Sequence, residues 1–273
     1  MTAAQTTPVY VPPSGNVAFT GVLASEWTKL RSLRSTVWSL VAAVGMLVGF
    51  GLLFSWGVVS RWDRLGARER LTFDPTRISL GGVFLAQLAI GVLGVLIIGG
   101  EFSTGMIRSS LAAVPKRLPV LWGKAVVFGV VALVLMTVAS IAAFEVAQAV
   151  LSGKGIQTTL GSDGVLRAVL GAGLFLTWVA LFGLALGTIL RNSAAAISTL
   201  VGALLVVPIL MNFLPSDWRD HIDRWLPSSA GDSLMAAHTT DAQLSPGIAA
   251  TMLVVYLAIS LGAAAILLLK RDV

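Results

Sequence analysis

The sequence predicts an all-α integral membrane protein with six transmembrane helices, and two observations carry that prediction. Six apolar runs contain no Asp, Glu, Lys or Arg: Val37–Ser60, Ile78–Gly100, Ala125–Phe144, Ala168–Leu190, Asn192–Ser216 and Ala242–Leu269. Each matches the ~20 residues that carry a helix across ~30 Å of hydrocarbon. Hydrophobic residues make up 56% of the chain and charged residues 12%, with a mean hydropathy of +0.88, whereas soluble domains are ~25% charged. A soluble core has no use for six such runs. Residues 19–273 are therefore read as one six-helix membrane domain, which leaves no space for a soluble catalytic domain of ordinary size.

The N-terminal residues 1–18 are small, polar and Pro-rich, with no apolar core of a signal peptide, and are expected to form a disordered leader. Phe19, Leu23, Trp27, Leu30 and Leu33 then recur every three or four positions. This spacing predicts an interfacial amphipathic helix with Trp27 at headgroup depth and the basic Lys29, Arg31 and Arg34 facing lipid phosphates. Glu26 is expected on the polar side with them.

Charge does not orient the spans. With both termini inside, Lys and Arg divide ten inside to nine outside, near a tie for the positive-inside rule. The net charge of +6 sits mostly beside spans, where it anchors helices, so nucleic acid is not an expected partner. There is no cysteine, which excludes disulfides, thiolate nucleophiles and Cys-ligated metal.

After the second run comes a charged loop, Glu101–Pro119. A carboxylate at the membrane edge, Gly105 four residues on and Arg108 after it suggest a chain break followed by a short helix, capped by Ser103 or Thr104 and ended by Pro115. An ordinary solvated loop is the plainer alternative. Lys124 opens the third span.

In this segment the chain resembles the permease subunits of ABC-2 type ATP-binding-cassette exporters, which carry E-[FY]-x-x-G-[TM]-[ILV]-R after the second helix. Glu101, Phe102, Gly105, Met106, Ile107 and Arg108 fit that pattern, with Met106 in place of the commoner Thr, and Pro115, Arg117 and Lys124 follow in order. The segment Ser25–Ser32 is similar to the family's N-terminal elbow helix, and Trp225–Gly231 to the stretch before its last span. The resemblance implies a cytoplasmic coupling helix in Glu101–Pro119 that docks on a separate ABC ATPase. It also implies cytoplasmic termini in a bacterial plasma membrane and a second permease copy or paralogue.

No phosphate-cradling G-x-x-x-x-G-K-[ST] motif is present, since Gly123-Lys124 and Gly153-Lys154 are followed by Ala and Gly. ATP and magnesium are accordingly expected on a partner chain, and no cofactor or metal on this one. His221 and His238 are too few and too far apart for a metal site.

Within the spans, Gln87, Glu145, Gln148 and Asn212 are the candidates for an outer gate or substrate path. Glu145 and Gln148, three residues apart, are expected to share a face, with a solvated helix end the plainer reading of Glu145. Gly45-x-x-x-Gly49 and Gly183-x-x-x-Gly187 predict close helix packing within the chain, and Pro208 a kink in the fifth span. Between the fifth and sixth runs, Trp218, Ile222, Trp225 and Leu226 predict an outer amphipathic or re-entrant helix.

These readings favour an exporter subunit moving a hydrophobic or amphipathic substrate. A polytopic membrane enzyme is the runner-up, but it needs paired catalytic groups at one depth. A non-catalytic anchor subunit stands third.

Overall fold

A computed structural model of the chain describes residues 18–106, 117–240 and 243–271. The expected leader therefore lies outside the described residues apart from Ala18. So do Ile107, Arg108, Pro115 and the short helix expected there.

Every regular element among the described residues is helical. Helix α1 (Phe19–Ser32) ends at an extended Leu33, and α2 (Arg34–Arg61) follows at once. Two short helices, α3 (Ala67–Leu71) and α4 (Pro75–Ser79), lead to α5 (Val83–Ser103). Next come α6 (Leu118–Leu151) and α7 (Val165–Leu190). The fifth span starts as α8 (Ser193–Val201), passes through a π turn (Gly202–Val206) and ends as α9 (Val207–Met211). Then α10 (Ser216–Ile222) and α11 (Pro227–Met235) precede the last helix, α12 (Pro246–Lys270).

Six helices are long and apolar enough to cross a membrane, and they correspond one to one with the six runs. The chain is a polytopic membrane protein. The first and third helices overrun their apolar runs at both ends, whereas the second, fifth and sixth begin inside theirs, where turn and capping signals set the start. Asp74 caps α4 through Thr76 and Arg77 N–H with Pro75 at the first position. Asn192 likewise accepts from Ala195 N–H at the start of α8.

Helices α5 and α7 form the centre and share the most extensive helix contact. The reason is glycine. A Cβ on Gly183 would stand 2.2 Å from the Gly91 carbonyl oxygen, and one on Gly94 2.1 Å from that of Ala180. Backbones approach here as the small-residue motif predicts. The Gly45–Gly49 motif behaves differently: a Cβ at either position meets nothing within 4 Å. Its expected packing within the chain is absent, because that side of α2 faces outward.

The expected kink at Pro208 takes the form of a change of hydrogen-bond register. Pro208 has no N–H to offer the preceding turn, and the π turn directly before it absorbs the mismatch. The expected outer amphipathic helix is two pieces. Leu226 is extended ahead of Pro227, since the residue before proline avoids helical ψ. Trp218 and Trp225 stay exposed, while α11 buries Ala230, Gly231 and Leu234 against α7 and α12.

An even number of spans puts α1, the α5–α6 connection, the α7–α8 connection and the end of α12 at one end of the bundle, the terminal face. Helices α3, α4, α10 and α11 lie at the opposite face.

Candidate functional site

The terminal face holds a network of four charged side chains. Lys124 sits one and a half turns inside α6, only 3% exposed. Its ammonium donates to Glu26 Oε2 of α1 at 2.6 Å and to Glu101 Oε1 of α5 at 2.9 Å. The Lys29 ammonium completes the ring, donating to Glu26 Oε1 at 2.8 Å and to Glu101 Oε1 at 3.0 Å. Two carboxylates and two ammonium groups balance, which lets such charges leave water together. Burial works against the charge on Lys29, but its hydrogen bonds to Glu26 and Glu101 outweigh that and hold its pKa above 10.5.

Local sequence explains how the network assembles. Val22, Glu26 and Lys29 recur at helical spacing and form the stripe of α1 that meets α6. A Cβ on Gly123 would touch Val22 Cγ1 at 2.8 Å, so the glycine before Lys124 is what lets α1 lie close. This corrects two expectations. Glu26 is buried rather than solvated, and Lys29 pairs with carboxylates instead of facing phosphates. Arg31 and Arg34 are exposed, and Trp27 is 49% exposed on a side of α1 that does not touch the bundle.

Around the network, two arginines close the end of α12. Arg117 donates to the carbonyls of Leu268 (3.2 Å) and Arg271 (3.1 Å), and Arg191 to those of Leu267 (3.4 Å) and Arg271 (3.2 Å). Cations belong at a helix C-terminus, where the last carbonyls lack partners. Arg117, expected on the docking surface, is thus engaged within the chain. The Arg191 guanidinium also lies 5.3 Å over the Phe102 ring, which couples the end of α5 to α12. Arg191 has φ +52, a left-handed conformation rare for a residue with a side chain.

Beyond Glu101 the helix stops. Ser103 and Thr104 hydroxyls both donate back to the Gly100 carbonyl, and the helix that either was expected to cap lies outside the described residues. Gly105 has φ +72 with nothing among the described residues within 4 Å of a Cβ placed there, the left-handed exit that favours glycine after a helix. Met106 follows, 50% exposed.

The opposite face carries a cleft of about 1080 Å³ between the α3–α5 segment, the outer part of the fifth span and α11. Gln87 and Asn212, two of the four expected path residues, both line it. Gln87 is buried and donates to the Phe84 carbonyl at 3.2 Å. The other two lie elsewhere. Gln148 is a structural staple, donating to Ser79 Oγ at 2.9 Å and accepting from Thr158 N–H at 2.8 Å. Glu145 is exposed. Three residues leave two side chains some 60° apart around a helix, and here the edge of the packed surface falls between them.

Asp232 of α11 lines the same cleft. Although the residue as a whole is exposed, the protein around its carboxyl raises its pKa above the usual carboxylate value, Arg77 opposes that and Asp223 reinforces it. Sequence reading missed Glu26, Lys124's partners and Asp232. A lone lysine at the head of an apolar span was the one available signal, since a charge at that depth demands a partner.

Among the described residues no group of His, Asp and Glu could hold a metal ion. Compared with family models and with curated proteins, the chain matches none.

Proposed function

We propose that the chain is the membrane-spanning permease subunit of an ABC-2 type exporter. In this reading it works with a second copy or paralogue and with separate ATPase subunits that bind ATP and magnesium. It sits in a bacterial plasma membrane with its terminal face in the cytoplasm, carries out no hydrolysis itself, and moves a hydrophobic or amphipathic substrate outward by alternating access.

The observation that supports this reading most is the four-charge network. Glu101 lies four residues before Gly105, where the chain leaves α5 for the segment that would meet the ATPase. Glu101 is gripped at once by α1 through Lys29 and by α6 through Lys124. Displacing that segment would therefore move three helices together. An ATPase can drive an inward-to-outward change only by contacting the two states differently, and the segment after Gly105 is where those contacts would be made. Met106, Ile107 and Arg108 are the residues assigned to it, with Phe102 at the end of α5 before it and Pro115 closing it.

Two measurements test the proposal. Reporter fusions after Arg70 and Asp232 should report the outside and one after Lys116 the inside, since a reversed pattern would put the segment beyond reach of any ATPase. Co-expression with an ABC ATPase should yield a complex that Gly105→Pro and Arg108→Glu disrupt, proline by barring the left-handed exit and glutamate by reversing charge at the contact. Wild-type complex formation by both variants would remove the reading's main support.

A further inference from the structure

The cleft on the opposite face has chemistry of its own, and we infer that it binds a single-chain cationic amphiphile. Binding there needs nothing from an ATPase, but calling the ligand a cargo rests on the exporter reading.

The walls argue for the apolar tail. Phe84, Leu205, Pro208 and Ile209 line the cleft from the second and fifth spans, with the buried Val83, Phe175 and Leu204 behind them. Phe84 is 57% and Ile209 56% exposed, so the surface is open to a ligand. The volume of about 1080 Å³ lies just above the ~300–1,000 Å³ usual for drug-sized ligands.

The rim argues for the cationic head. Four carboxylates, those of Glu69, Asp74, Asp223 and Asp232, line it against one guanidinium, that of Arg77. Glu69 and Asp74 are engaged in capping, through Gly66 N–H and through Thr76 and Arg77 N–H. Asp223 and Asp232 make no such bonds among the described residues, and the charge of Asp223 opposes ionisation of Asp232. A cation between them relieves that repulsion. Ser228 adds a hydroxyl that is buried on the cleft with no hydrogen-bond partner among the described residues, a group a ligand head or its water would satisfy. An anionic amphiphile meets the same walls but the wrong rim.

The test is direct binding to the full chain in nanodiscs of zwitterionic lipid, with empty discs subtracted. The probes are radiolabelled hexadecyltrimethylammonium, hexadecyl maltoside and hexadecyl sulfate, with a two-chain cationic lipid as a fourth arm. Saturable binding of the ammonium probe at least tenfold tighter than the maltoside and the sulfate is expected, with the two-chain lipid excluded by volume. Asp223→Asn with Asp232→Asn should weaken the ammonium probe about tenfold and leave the maltoside within twofold. Arg77→Gln should tighten the ammonium probe severalfold, a gain that misfolding cannot imitate. Equal binding of the three single-chain probes, no saturable binding, preference for the two-chain lipid, or unchanged affinity in the Asp and Arg variants would each overturn the inference. None of these outcomes touches the ATPase complex, so the exporter reading stands or falls separately.

Discussion

Lys124→Met is the sharpest perturbation of the terminal face. The substitution keeps the length and apolar stem of the side chain and removes one charge. It leaves Glu26 and Glu101, 4% and 7% exposed, sharing only the half-buried Lys29. The lost contacts, at 2.6 and 2.9 Å, are each worth ~6 kcal/mol before desolvation at an effective dielectric constant of ~20. Most of that is offset by the cost of taking the charges out of water, and removing one partner of a buried pair typically costs ~3–5 kcal/mol. Reversible unfolding in mixed micelles titrated with dodecyl sulfate, followed by circular dichroism, should show a loss of that size. Glu26→Gln on its own should also destabilise, but combining it with Lys124→Met restores balance and leaves the neutral Lys29–Glu101 pair. The double variant should recover a coupling energy of ~1–3 kcal/mol. Additivity within ~0.5 kcal/mol would show that the two groups do not share a network. A loss below ~1 kcal/mol for Lys124→Met would mean that the carboxylates are hydrated, and the proposed link between α1, α5 and α6 would fail with it.

Three further outcomes follow from the same packing. Gly183→Ala drives a methyl group into the Gly91 carbonyl and should cost ~1–3 kcal/mol or more, whereas Gly45→Ala should stay within ~0.5 kcal/mol in the same unfolding assay; equal effects would refute the α5–α7 crossing. Gly105→Ala meets no neighbour, so its whole cost is the left-handed backbone, ~1–2 kcal/mol, and Gly105→Asn should lose less than Gly105→Val. For Lys29, the folded pKa lies above 10.5, so its contribution is complete below that value and disappears as pH rises through the folded pKa; spin labels at Thr28→Cys and Ser103→Cys in this cysteine-free chain should hold their separation up to pH 10.5 and drift apart only above it, and separation at pH 9 would contradict the assignment.

The spans were legible because length and hydropathy are one-dimensional quantities, and the six runs carry both. Their ends were less so. The sequence alone opens the third span at Lys124, yet α6 starts at Leu118 with Pro119 in its first turn, because a run bounded by its first charge leaves out the apolar residues beyond it. The faces of α1 were half legible: Trp27 lies outward as its spacing implies, but Glu26 lies inward because its partner is 98 positions away, and no local periodicity encodes that. Gln87 and Asn212 come together only through the fold, while Gln148 was chosen for its polarity and holds a loop with it. Residue type told which groups were costly to bury; only the fold told which groups meet.

Helix α5 connects the two ends of the molecule. It carries Gln87 on the cleft and Glu101 in the charge network, fourteen residues from 87 to 101, or about 21 Å along its axis. Between them, Gly91 and Gly94 seat it against α7 with no side chain to act as a bearing. A helix gripped this way does not slide freely, because its carbonyls interlock with the partner's backbone and a packed interface has discrete rather than continuous arrangements. Motion imposed at Glu101 must then carry α7 along or break the crossing. Since α7 also supports α11 and Asp232 through Gly171 and Leu234, a rigid α5–α7 pair moves both walls of the cleft, and an α5 that shears past α7 moves one. Gly183→Ala, by wedging the crossing apart, should therefore alter ammonium-probe affinity as well as stability if the pair moves as a unit, even though residue 183 lies outside the cleft.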